Sequence, residues 1–243
     1  MSIRSLRSAV AFLTVIPAAD AAGSPGERLG RAYFPLVGAA VGLAAGVAFV
    51  VVAAIAGRLL AAVAAVAVLA ALTGGLHLDG LADAADGLFG VGSLERRLEV
   101  MRDPRVGSFG AVTLVLVIVG DVAALSSLSP ARALVGLVVA GALSRLAMLA
   151  VVVAAPYRHE SGLGTAAQGG RRAFDLLLGA AFTVAACLLD PRRAVMAALM
   201  VALAATVVVV VARRRIGGAT GDIYGAVSEI GQLAALVTFV AAG

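Results

Sequence analysis

The chain is a series of long apolar runs separated by short polar clusters of glycine, aspartate and arginine. A bilayer core needs about 20 apolar residues per helix. Runs of that order lie at 34–56, 59–76, 109–128, 133–155, 194–212 and 223–242, with a shorter seventh at 174–189. None shows the period-2 alternation of a barrel strand. Backbone groups in hydrocarbon must be bonded within their own segment, so the runs are helical. Several gaps are only a few residues long, which forces antiparallel neighbours. The pattern predicts an all-α, polytopic membrane helical bundle with about seven transmembrane helices. Residues 1–243 read as one integral-membrane domain, with 1–33 as an amphipathic surface segment.

Composition agrees with this pattern. The chain is 62% hydrophobic and 14% charged over 243 residues, with a mean hydropathy of +1.06. A soluble domain is about 45–50% apolar and roughly 25% charged. Too little polar surface remains for a soluble enzyme, a disordered chain or a nucleic-acid-binding module. All 19 basic residues are arginine, so a Schiff-base lysine or a phosphate-loop lysine is excluded. The single cysteine, Cys187, allows neither an intrachain disulfide nor a multi-cysteine zinc site.

The net charge of +5 is distributed unevenly. With seven spans, one side carries Arg4, Arg7, Arg28, Arg31, Arg96, Arg97, Arg102, Arg105, Arg158, Arg171, Arg172, Arg213, Arg214 and Arg215. The other side carries Arg58, Arg132, Arg192 and Arg193, and Arg145 lies inside a span. Positively charged loops stay in the cytoplasm. The N-terminus and the long polar segments 77–107 and 156–173 are therefore expected there, in contact with the anionic surface of the lipid bilayer. Long loops in compact bundles are usually functional, and 77–107 is the expected cytoplasmic catalytic loop.

Three polar clusters carry the candidate chemistry. In the first, Asp79, Asp83 and Asp86 stand at i, i+4 and i+7 and fall on one helical stripe. Aligned carboxylates beside a membrane repel one another and are costly to desolvate. A hard divalent cation, Mg²⁺ or Mn²⁺, would make the arrangement favourable. Gly74, Gly75, Gly80 and Gly87 around them allow close approach of a helix or ligand. His77 is either a general base or the end of the apolar span. In the second cluster, Arg102 and Arg105 are either phosphate-gripping forks or cytoplasmic anchors. Ser108 could cap the next helix there, and the free N–H groups of that helix start would also favour a substrate phosphate. The third cluster holds Thr220 as a hydroxyl ligand or cap, with Asp222 and Glu229 at i, i+7 as further metal or substrate ligands. Within the spans, Asp121 and Arg145 either pair with each other or leave Arg145 to face the site and bind phosphate. His159 and Glu160 are weaker candidates.

The clusters resemble the cobalamin synthase family of adenosylcobinamide-GDP ribazoletransferases. The likeness lies in GGLHLDGLADAADGL at 74–88, MRDPRVGSFG at 101–110 and GGATGDIYGA at 217–226, supported by FLTVIP at 12–17 and YFPLVG at 33–38. The resemblance implies a Mg²⁺-dependent enzyme of the inner cell membrane, with its active site facing the cytoplasm. Such an enzyme transfers the adenosylcobinamide-phosphate group of adenosylcobinamide-GDP to α-ribazole, or its 5′-phosphate, and releases GMP. It leaves room for a homo-oligomer or for association with other cobalamin-assembly enzymes. CDP-alcohol phosphotransferases share this chemistry, and Asp83-x2-Asp86-Gly87 matches the start of their motif. Gly90-Val91 then replaces their Ala-Arg, and the two later aspartates are not found at their spacing. A cation- or proton-coupled transporter, with Asp121, Arg145 and Glu229 along its path, is the reading from another class.

Overall fold

The computed structural model describes residues 3–18, 30–154 and 172–242. Arg28, Arg158, His159, Glu160 and Arg171 lie outside the described residues. Among the described residues there are α-helices and one 3-10 turn, Arg31–Tyr33, and no strand. The helices are α1 (Ile3–Leu13), α2 (Phe34–Thr73), α3 (Leu76–Phe89), α4 (Leu94–Val100), α5 (Ser108–Ser127), α6 (Pro130–Ala154), α7 (Arg172–Cys187), α8 (Pro191–Ile216) and α9 (Gly221–Ala241). The expected all-α membrane bundle is the fold found.

Among the described residues, five stretches are long and apolar enough to cross a bilayer: Arg31–Thr73, α5, α6, α8 and α9. The helix α7, at 16 residues, falls short of that length, so the expected count of seven is not reached on this measure. The first stretch is a hairpin. Gly57 breaks α2 with φ 81° and ψ 167°, a backbone region that glycine enters without steric cost. Phe12 stacks on Phe34 with ring centroids 5.5 Å apart, and Val15 N–H donates to Leu72 O at 2.9 Å. An unbroken helix would hold Phe34 and Leu72 about 57 Å apart at 1.5 Å per residue. Residues 12 and 15 span at most about 11 Å, so the chain doubles back at Gly57 into arms 34–56 and 58–73. The second apolar run therefore ends at Thr73, earlier than its hydropathy suggests. Gly74 and Gly75, both with positive φ, then turn the chain into α3.

Two helices form the interior. The most apolar windows of α6 and α9 are 72% buried, against 28% or less in the other spans. Polar side chains on α6 and α9 therefore face protein. Large apolar residues such as Ile55, Val115, Leu116 and Leu199 are exposed on α2, α5 and α8, as a lipid-facing surface requires. Gly38 and Gly141 let α2 and α6 meet backbone to backbone, because a Cβ on either would collide with the other's carbonyl. The buried Arg31–Asp175 ion pair at 2.8 Å and the Tyr33–Phe182 ring contact fix α7 against the chain that enters α2.

The segment 77–107 is not a loop. Most of it is α3 and α4, joined by a bend whose Ser93 side chain accepts from Arg96 N–H and caps α4, and only 101–107 is a turn. The apolar runs show this helix only weakly, because α3 carries its polar stripe on what would otherwise be a continuation of the second span.

The hairpin makes a topological prediction. A reporter inserted at Arg58 should lie on the side of the membrane opposite one at Ser93, and on the same side as one at Ser129. Accessibility labelling of single cysteines in a Cys187→Ala background measures this. If Arg58 and Ser93 reported the same side, α2 would not be a hairpin across the bilayer.

Candidate active site

The three polar clusters meet at one end of the bundle. Gly80 lies against the start of α9, where a Cβ on it would stand 3.1 Å from Asp222 Cα. A Cβ on Gly225 would stand 3.0 Å from the carbonyl of His77. Any larger residue at either position would push α3 and α9 apart and take Asp222 away from the α3 carboxylates. The 101–110 turn is tied to the same helix by Asp86. One of its oxygens accepts from Gly107 N–H at 2.7 Å and the other from Gly110 N–H at 2.9 Å. The first turn of a helix presents unpaired N–H groups and a partial positive charge, and here a carboxylate from another helix satisfies them. A Cβ on Gly107 or Gly110 would collide with that carboxylate.

The α3 stripe is graded along its length. Asp79 is exposed, Asp83 half-buried and Asp86 buried. Burial, and then the charges of Asp79, Asp222 and Asp86, push Asp83 up to about 7. Asp222, in the first turn of α9, accepts from Thr220 Oγ1 at 3.1 Å. The same hydroxyl caps α9 by accepting from Ile223 N–H, so Thr220 acts as the expected cap and also orients Asp222. Among the described residues, no three His, Cys, Asp or Glu side chains stand close enough to form a ready metal centre. Asp79, Asp83 and Asp222 still supply the hard oxygen donors that suit Mg²⁺ or Mn²⁺. Asp86 differs from them, because each of its oxygens already carries a backbone hydrogen bond.

The other candidates fall into two groups. At the rim, Arg102 is exposed and its guanidinium has no partner among the described residues. Arg105 places its fork on Asp103, at 2.9 and 2.7 Å. Ser108 does not cap α5: Gly107 holds the N-cap position, and Asp86 does the capping from α3. Arg97 donates to the carbonyls of Gly87 and Leu88 and closes the C-terminal end of α3.

Inside the bundle, Arg145, His77, Glu229 and Asp121 are all buried. Arg145 donates to Ser144 Oγ at 3.0 Å and lies 3.5 Å from His77 Nδ1. Burial, and then the Arg145 charge, hold His77 well below its ordinary pKa. The imidazole is neutral and packed inward, roughly 160° around α3 from Asp79. Asp121 does not pair with Arg145; its Oδ2 accepts from Gln232 Nε2 at 3.1 Å. Glu229 lies about 10 Å below Asp222 along α9 and joins this inner group instead of the rim carboxylates. Gln232 was missed in the sequence, although a polar residue three positions after Glu229 in an apolar span was a readable signal. Asp121, Arg145, Glu229 and Gln232 line a cavity of about 20 Å³.

Fold and site together define a polytopic membrane protein whose chemistry is gathered at one end of its helical bundle. The profile of the cobalamin-5-phosphate synthase family matches residues 5–240. The chain belongs to that family. It is similar to proteins named adenosylcobinamide-GDP ribazoletransferase from Escherichia coli (strain SMS-3-5 / SECEC) and Shigella boydii serotype 18. Identity to each is 38% over 212 residues, covering 85% of this chain and 85% of the relative. No solved structure matches the chain.

Two predictions follow from the carboxylates. Asp86→Asn replaces a charged acceptor with an amide that must turn a donor towards one of two N–H groups. It should cost about 1.5–3 kcal/mol, read as a lower melting temperature in detergent, and Gly110→Ala should act in the same direction. For Asp83 the sign is opposite. A carboxyl whose pKa is raised by folding loses stability as pH climbs from its unfolded value to its folded one, here up to about 7. Without divalent cations, Asp83→Asn should melt above the native chain at pH 8, with the gap closing towards about pH 4. Equal melting at both pH values would mean that Asp83 is not electrostatically crowded.

Proposed function

We propose that the chain transfers the adenosylcobinamide-phosphate group of adenosylcobinamide-GDP to α-ribazole, or to its 5′-phosphate, and releases GMP. The names of its relatives support this reading. The observation that carries it is the convergence of the 74–88, 101–110 and 217–226 clusters through Asp86, Gly80 and Gly225. A pyrophosphate substrate needs cationic forks and hard-metal ligands within one site. Arg102 provides the unpaired fork, and Arg105 joins it by leaving Asp103.

Asp79, Asp83 and Asp222 would hold Mg²⁺, or Mn²⁺ in its place, which supplies positive charge for the pyrophosphate and the departing GMP. A ribazole hydroxyl oxygen forms the new bond to the phosphorus that bears the cobinamide. The bond from that phosphorus to the GMP oxygen breaks, and the hydroxyl proton passes to a rim carboxylate. His77, buried against Arg145, acts by positioning. The protein would be multi-pass in the inner cell membrane, with the arginine-rich end and the site facing the cytoplasm.

The transporter reading needs a polar route across the bundle. The inner group instead surrounds a cavity of about 20 Å³, room for about one water. A CDP-alcohol phosphotransferase-like reaction would share the carboxylates and differ in its substrates.

Purified protein given adenosylcobinamide-GDP and α-ribazole should release GMP only when Mg²⁺ or Mn²⁺ is present. Asp79→Ala and Asp83→Ala should lose most activity while inserting normally. Arg102→Lys keeps the charge but loses the bidentate fork, so it should cost about ten- to a hundredfold in turnover. Full turnover in chelator would remove the metal from the proposal, and release of GMP with no ribazole-dependent product would remove the acceptor.

A further inference from the structure

A second feature lies away from the polar clusters, on the side of the bundle formed by α6 and α8. The two helices run in the same direction, each from a short external turn towards the arginine-rich end. Between Leu143 and Ala154 on α6, and between Ala198 and Arg213 on α8, they line a groove of about 500 Å³. That volume is in the roughly 300–1,000 Å³ range of small-molecule sites. The groove exists because its walls carry small side chains, including Ala147, Ala150, Ala198, Ala202 and Ala205. Among the described residues, Thr206 and Arg213 are the only polar ones that line it.

Its dimensions fit one leaflet. At 1.5 Å per residue the α6 wall is about 16 Å long and the α8 wall about 22 Å. Half of a bilayer's hydrocarbon core is about 15 Å. The groove therefore runs along one leaflet's apolar depth and ends at a guanidinium. Arg213, Arg214 and Arg215 occupy the last turn of α8 and are all exposed. None has a hydrogen-bond or ion-pair partner among the described residues. Topology alone would account for three arginines near this end of the helix, but not for an apolar groove that terminates on one of them.

We propose that this groove holds an acyl chain of an anionic phospholipid, with the lipid phosphate gripped by Arg213 and supported by Arg214 and Arg215. Both parts of such a lipid are matched: an apolar groove for the chain and a phosphate-binding fork at headgroup height. The mouth is linked to the candidate site along the chain. From Arg213 the chain runs one turn to Gly217, which has a φ of 73°, and then to Thr220 and Asp222. A lipid seated there steadies the end of α8 from which the third polar cluster departs. The proposal needs only that the bundle lies in a bilayer, so it stands or falls independently of the transferase reading.

The test uses the full chain in detergent, titrated with phosphatidylglycerol or phosphatidylcholine and read by native mass spectrometry. Phosphatidylglycerol should remain bound at a stoichiometry of one where phosphatidylcholine does not. Arg213→Gln should weaken retention about fivefold, the effect of about 1 kcal/mol per basic residue near an anionic lipid, and Arg213→Lys should restore much of it. Ala202→Trp fills the groove from an exposed position without touching the arginines, and should abolish retention with helix content unchanged. Equal retention of both lipids, or undiminished retention in Ala202→Trp, would overturn the proposal. So would a dimer that Ala202→Trp dissociates, because the groove would then belong to a second copy of the chain.

Discussion

Asp86 accepts two backbone N–H groups from the start of α5, one on each carboxylate oxygen, and the geometry of the site depends on that bond. A helix beginning at a membrane face has four unpaired N–H donors. A buried carboxylate has the complementary need. Each removes the other's desolvation cost, and the union locks the register of α3 against α5. The 101–110 turn, and Arg102 with it, is placed by this contact. The same helix carries Gly80, where α9 approaches closely enough to bring Asp222 beside Asp83. One anchored helix thus sets the position of groups drawn from three separated stretches of chain.

Beneath the rim, α9 acts as a polar spine. Asp222, Glu229 and Gln232 lie at i, i+7 and i+10 and face the interior of the bundle. Thr220, the N-cap of α9 itself, holds Asp222 at the top, while the groups that meet the other two come from other helices: Arg145 on α6 near Glu229, and Asp121 on α5 with Gln232. Buried polar groups of this kind stabilise only when they are satisfied. Asp121 Oδ1 has no partner among the described residues, and the adjoining cavity of about 20 Å³ is large enough for one water to supply it. The inner group therefore reads as the floor of the candidate site, which holds α5, α6 and α9 in register beneath the rim carboxylates.

Much of this was legible in the sequence, because hydropathy and helical period are local properties. The membrane bundle followed from run lengths, and the hairpin at Gly57 matches a gap between two runs. The aspartate spacing correctly placed three carboxylates on one stripe. It could not show that they have different roles, since Asp86 is distinguished only by the N-terminus of α5 lying against it. Ser108 was the obvious cap by residue type, yet a carboxylate from 22 residues earlier took the role. Asp121 and Arg145 sit at similar depths, but depth does not specify azimuth, and Gln232 rather than Arg145 faces Asp121. Each miss depends on which helix faces which, and a single chain's periodicity does not carry that information.

Charge balance gives the strongest physical support for the proposed cation. Of the four rim carboxylates, Asp86 is stabilised by a helix terminus. Asp79, Asp83 and Asp222 have no arginine within ion-pairing distance among the described residues. The nearby cations are committed elsewhere or point outward: Arg97 to the carbonyls that end α3, Arg105 to Asp103, and Arg102 to solvent. A hydroxyl from Thr220 lowers the cost for Asp222 alone. Burial, and then the charges of its carboxylate neighbours, push the Asp83 pKa up. In a chain with 19 arginines, one more could have been placed here if neutrality were the only requirement. Keeping three carboxylates without an arginine partner is costly for the protein alone, and it becomes favourable when positive charge arrives with a pyrophosphate substrate.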